Sequence, residues 1–274
     1  MPKKKREQAL TDEALVLYAE LVREYGLHLD WMRRQEVPES ERRDQQLAIG
    51  LLAISVYTSA KAVVALYDGH QGDASLIFVR SQLEQAAKAE YFATRPHRAR
   101  DFLDLEPFER YKLTEGYKLK EELRATIVAE CKEAVRRSPR LLLHQSKPPK
   151  GKPRADFLAI REALKPPDMK GLLEANKWNF DLYVTVFLFG SLGIHGSINE
   201  LRNYFDLDDR GTVRFQPEVD MGGPPDYLLQ SMAYVIGFIG KIGAWFPGGN
   251  REAEVKALYD RHKALDAKLK ALDA

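Results

Sequence analysis

The sequence offers almost no sulfur chemistry, since Cys131 is its only cysteine. An intramolecular disulfide and a cysteine-rich zinc site are therefore excluded, and a reducing compartment, the cytoplasm, is the expected setting. A charge excess is also missing. Lys and Arg total 42 against 40 Asp and Glu, so the net charge of +2 gives no global argument for a nucleic-acid partner and leaves only local ones. Metal-ligand patterns are absent as well. There is no His-Glu-x-x-His run, and Asp206, Asp208, Arg210 and Gly211 resemble a calcium loop only until Arg210 takes a ligand position and Pro217 falls at the twelfth place. No metal and no cofactor is expected. Met1 to Arg6 is basic, but Glu7 to Glu13 follows without an apolar core, so a solvated tail over residues 1–10 is expected and a secretory signal is not.

Strand patterning is nearly absent too; helical spacing takes its place. Leu15, Tyr18, Leu21, Val22, Tyr25 and Leu29 recur as one face of a helix, with Thr11 as a candidate N-cap and Pro38 beyond the end. Ser40 can cap a second helix through the apolar stretch to Tyr67, before the turn residues Asp68-Gly69 and Gly72. A third helix opens at Asp73 and closes before Pro96. A short helix to Leu105 and a long charged one from Pro107 to about Arg137 follow.

The stretch from Ser138 to Arg154 holds four prolines and many bases, which predicts an irregular basic loop over 138–155. Beyond it lie two short helices, around Asp156 to Leu164 and Lys170 to Asn176, and a long apolar central helix from about Lys177 to Phe205. Turn residues and β-formers from Asp206 to Phe215 predict a small hairpin over 206–218. The helix Tyr227 to Phe246 and a charged terminal helix complete the chain. Leu47 to Tyr67, Leu182 to Ile194 and Tyr227 to Phe246 are apolar enough to raise a membrane question. Lys61, Gln230 and Lys241, and the shortness of the second stretch, favour buried helices and no membrane partner. With 45% hydrophobic residues and no internal repeat, the chain is expected to form one all-α domain over 1–274. The expected fold class is a multi-helix bundle with a small β-hairpin insertion after the central helix.

Three short motifs stand out: Arg80-Ser81-Gln82-Leu83-Glu84, the stretch Phe102 to Lys112, and Ser191-Leu192-Gly193-Ile194-His195-Gly196-Ser197. Together they resemble the bacterial domain-of-unknown-function family 5677 over roughly Leu47 to Phe246. The resemblance implies an all-helical fold with an Arg-x-x-x-Glu helix and a Ser-x-x-x-His-Gly-Ser helix, and it suggests a role in defence or stress.

The residues themselves carry a physical reading. Arg80 and Glu84 are four apart and share a helix face, at the margin of an apolar stripe, where a charged pair needs polar partners from another helix. Ser191, His195 and Ser197 are the candidates, with Asn199 and Arg202 following His195 along its helix; Gly190, Gly193 and Ser197 form a seam of small residues that lets a backbone approach closely. In the functional reading Arg80, Glu84 and His195 are a catalytic or binding centre: His195 a general base, Arg80 an anion binder, and Ser191, Ser197, Asn199 and Arg202 further ligand contacts. The ligand would be a nucleotide or RNA. In the competing reading the same residues are a structural network and the chain is a non-enzymatic module that meets a protein partner. Whether it is an enzyme, and its oligomeric state, stay open.

Two further features bear on nucleic acid. Lys147, Lys150, Lys152 and Arg154 make a basic patch able to meet phosphates, although the loop has no aromatic residue for base stacking. The spacings Arg23 to His28 and Arg137 to His144 resemble the Arg-x(4 to 6)-His signature of helical, metal-independent ribonuclease toxins.

Overall fold

The computed structural model describes residues 3–37, 39–40, 42–117, 120–144, 157–179, 205–207, 213–215, 225–246 and 252–273. Contacts gather into two compact units: one of residues 1–38, 49–91 and 169–274, the other of residues 39–48 and 92–168.

In the first unit the leading helix, α1 (Lys3–Arg33), begins within the basic N-terminal stretch and runs for 31 residues. Lys, Arg, Glu, Gln and Ala are good helix formers, so nothing interrupts the helix before Thr11. Thr11 is therefore not a cap: it lies mid-helix, and its hydroxyl donates to the carbonyl of Glu7 at 3.0 Å. The inward face of α1 buries Leu17, Tyr18, Leu21 and Tyr25 at the spacing read from the sequence. The next helix, α2 (Arg43–Asp68), belongs to the first unit from residue 49 onward and ends in a turn where the N–H of Gln71 reaches the carbonyl of Leu66 and His70 sits at φ 56°. A short 3₁₀ turn, Gly72–Ser75, leads into α3 (Leu76–Ala93).

The second unit is built from α4 (Pro96–Asp104), α5 (Glu106–Gly116), α6 (Glu121–Arg137), the 3₁₀ helix Pro139–His144 and α7 (Phe157–Leu164). The single charged helix predicted from Pro107 to Arg137 is in fact two. Gly116 ends α5, and Tyr117 turns extended behind it. Phe108, Cys131, Leu141, Ile160 and Leu164 form the core, with the Tyr111 ring edge-on to Phe157 at 5.1 Å.

The first unit resumes with α8 (Met169–Asn176). Lys177, expected to open the central helix, instead closes α8 at φ 58°, with the N–H of Trp178 on the carbonyl of Leu173. The central helix itself, including the small-residue seam, falls at 180–204, outside the described residues. Two long helices follow the strand region: α9 (Pro225–Trp245), whose Leu228, Met232, Val235, Phe238 and Ile242 are fully buried, and α10 (Glu252–Asp273). Helices α1, α9 and α10 pack against one another. Of the described helices, α2 and α9 are long and apolar enough to cross a membrane by length and composition, and about half of each apolar window, 50% and 44%, is buried in the protein.

The expected fold class is corrected at the β-hairpin insertion, because the architecture is all-α. Among the described residues, extended pairing covers three residues on each side, β1 (Phe205–Leu207) and β2 (Val213–Phe215), with Phe205 opposite Phe215 and Leu207 opposite Val213. Residues 208–212 and 216–218 of the expected 206–218 segment lie outside the described residues. Two three-residue strands without a third strand among the described residues are too small to form an independent layer. They are local backbone pairing within a helical fold, not an inserted β element.

Candidate functional site

Helix α3 forms because Leu76, Val79, Leu83, Ala86 and Ala87 make a continuous apolar face, all buried. At the margin of that face stand Arg80, Glu84 and Lys88, four apart and each half-buried. Glu84 is held by Lys88, whose ammonium donates to its Oε1 at 2.6 Å. The expected partner geometry on one helix face is thus present, but the carboxylate faces a cation one turn further on, which the sequence reading did not select. Arg80 stands one turn before Glu84 on the same row, half-buried, where a charge counts for more than in open water.

One residue inside the same motif points the other way. Gln82 is fully buried; its amide donates to the hydroxyl of Tyr18 at 3.3 Å, and its carbonyl accepts from the hydroxyl of Ser231, which also contacts Tyr18. This triangle joins α1, α3 and α9 in the first unit. Burial pushes the Tyr18 hydroxyl up to about 12 against the lowering effect of its bonds to Ser231 and Gln82. Nearby, Lys241 of α9 pairs with Glu90 of α3, and Asn176 of α8 donates to the carbonyl of Ala87 at 2.8 Å. Sequence reasoning missed Gln82, Ser231 and Lys88. A polar residue inside an apolar helix face was the available signal for the first two.

The remaining expected site residues cannot be placed against α3. Ser191, His195, Ser197, Asn199 and Arg202 lie outside the described residues, as do Lys147, Lys150, Lys152 and Arg154 of the basic loop. The first ribonuclease-like spacing does not build a site. Arg23 is exposed, while His28 is buried and turned onto the carbonyl of Glu24 at 3.0 Å, because five residues carry a helix well past one turn. Arg137 of the second spacing is exposed and engaged with Glu133, and the His144 side chain lies outside the described residues.

The second unit holds an ionic network that the sequence did not advertise. Asp101, buried in α4, accepts from Arg98 at 3.0 Å and from Arg140, whose guanidinium also reaches Asp104 at 2.8 Å. Arg161 is buried and paired with Glu109 at 2.9 Å. A cavity of about 590 Å³ opens between α5 and α6, walled by Asp104, Glu106, Arg110, Glu130, Glu133 and Arg137. Its charges are matched within the protein: Arg110 bridges Glu106 and Glu130, and Arg137 lies 3.7 Å from Glu133. No group of three metal-ligating side chains occurs among the described residues. Beside the cavity, Cys131 is buried with its thiol on the carbonyl of Pro107; burial, reinforced by the Glu130 carboxylate, pushes it up to about 12, so it is no thiolate nucleophile.

The helical order and the charged row on α3 define an all-helical protein whose distinctive polar residues sit on the margins of apolar helices. The sequence pattern of one family, described as "Family of unknown function (DUF5677)", matches residues 46–212, more than half of the chain and the whole of α3. The chain belongs to that family. No curated protein and no solved structure matches it.

Proposed function

We propose that this chain binds an anionic ligand, RNA or a nucleotide, through the cationic row of α3, with Arg80 as the anion contact and Glu84 and His195 completing a polar centre. The observation that carries the reading is the half-buried row Arg80, Glu84 and Lys88, with Lys88 on the Glu84 carboxylate, on a helix inside the family-matched segment. A guanidinium at such a margin donates in a planar fork that suits phosphate oxygens. In the cavity of the second unit the two guanidiniums answer to the carboxylates around them.

Ser191, Ser197, Asn199 and Arg202 are proposed as further ligand contacts, and Lys147, Lys150, Lys152 and Arg154 as outer phosphate contacts. A role in defence or stress in a bacterial cytoplasm belongs to the same proposal. The test is binding of a single-stranded RNA and of a nucleoside triphosphate to the wild type and to Arg80→Ala, Lys88→Ala and His195→Ala. Affinity should fall about tenfold or more in each variant with the melting temperature nearly kept, a loss of ~1.4 kcal/mol or more per site. Unchanged affinity in Arg80→Ala would remove the row from the site. Loss of growth on expressing the wild type but not the variants would support the defence role.

A further inference from the structure

Helix α8 buries Met169, Leu172 and Leu173, and that packing fixes the place of the two residues behind it, Lys177 and Trp178. The same end is tied to α3, because the Asn176 amide donates to the carbonyl of Ala87 at 2.8 Å, one residue before Lys88. Both helices belong to the first unit. The chain leaves α8 through Lys177 at φ 58°, a left-handed conformation that glycine adopts freely and a lysine does not, and the N–H of Trp178 closes the turn on the carbonyl of Leu173 at 2.9 Å. Stability alone favours glycine there. The residue is instead a lysine, exposed, and among the described residues no carboxylate answers its ammonium. Next to it stands the half-buried indole of Trp178. An uncompensated cation beside a partly open aromatic ring is the pair of groups with which proteins take a phosphate and a neighbouring base. The basic loop over 138–155 has cations but no such ring.

The geometry points to the end of α8 as a contact for single-stranded RNA, with Lys177 on a phosphate and Trp178 stacked on a base. This rests on the reading that α3 holds an anion, and it narrows the ligand class. Arg80 and Lys88 are eight residues apart on α3, about 12 Å along the helix axis, and Lys177 follows directly on the residue that touches α3 beside Lys88. Cations spread over that length suit a chain of phosphates, whereas the phosphates of one nucleotide are compact. The aromatic ring adds a contact that every base can make, so the expected binding is tolerant of sequence.

Titration of the full chain with a mixed-sequence single-stranded RNA, read by tryptophan fluorescence and by affinity at several salt concentrations, tests this, with circular dichroism to confirm that each variant folds. RNA should quench the wild type. Trp178→Phe should remove most of the quenching and keep most of the affinity, whereas Trp178→Ala should lose about fivefold or more. Lys177→Gly should raise the melting temperature and yet weaken binding, with a slope of log affinity against log salt shallower by about one, and Lys177→Arg should bind as the wild type does. A purely structural Lys177 would give the rise in melting temperature without the loss of affinity. Unchanged affinity in Lys177→Gly, where Arg80→Ala weakens binding, overturns this inference and leaves the α3 site standing. Weaker binding in Lys177→Gly with none lost in Arg80→Ala supports the α8 contact and removes the α3 row. A wild type that binds no RNA overturns both, and a nucleoside triphosphate bound as tightly as the RNA overturns the assignment to RNA.

Discussion

Tyr18, Gln82 and Ser231 put the strongest constraint on any single residue in the first unit, because three polar groups are buried and satisfy one another. Tyr18→Phe removes one hydroxyl and leaves the other two short of a partner, so it should cost about 1–3 kcal/mol in chemical denaturation. The same burial makes stability depend on alkaline pH. The Tyr18 hydroxyl and the Cys131 thiol are both raised to about 12, from 10.0 and 9.0. Groups raised in the folded state contribute fully below their unfolded values, and that contribution is lost as pH climbs. Melting temperature should therefore hold up to about pH 9 and fall between there and about pH 12, with tyrosinate absorbance developing as the chain unfolds. Stability that rises across this window would contradict the assignment. In the second unit, Asp101→Asn would weaken the clamp of Arg98 and Arg140 on α4 and should lower stability by about 1–3 kcal/mol, discounted because Arg140 is partly solvated.

At the scale of elements, helical periodicity was the readable signal, because the buried faces of α1, α3 and α9 follow the apolar spacing in the sequence. Boundaries were harder for physical reasons. The start of α1 at Lys3 depends on helix propensity in charged residues that carry no apolar stripe. The break between α5 and α6 rests on Gly116, a residue that helices also tolerate. The left-handed positions fall on His70 and Lys177, although Gly69 stood next to the first. Lys177 is exposed and closes α8, so Lys177→Gly should relieve its backbone and stabilise the protein by about 1 kcal/mol, measured as a rise in melting temperature. The pairing of β1 with β2 covers three residues each, so turn residues and β-formers indicated local backbone and overstated it as an element. For the candidate site, the same spacing bears only on α3. Four-residue spacing places Arg80 and Glu84 on one face, whereas the choice of Lys88 as the partner of Glu84 is a side-chain geometry that spacing cannot decide.

For the molecule as a whole, near-neutral net charge means that any affinity for a polyanion has to come from local groups; the contacts proposed are Arg80 and Lys88 of α3, while the charges of the second unit's network and cavity answer one another. We propose ligand binding at α3 and a structural role for the ionic clamp of α4. The most direct measurement is RNA affinity as a function of salt for the wild type and for Arg80→Ala combined with Lys88→Ala. The double variant should bind more weakly at every salt concentration, with a slope of log affinity against log salt shallower by about one to two. An identical slope and affinity, with the fold intact, would contradict the claim that these two cations hold the ligand.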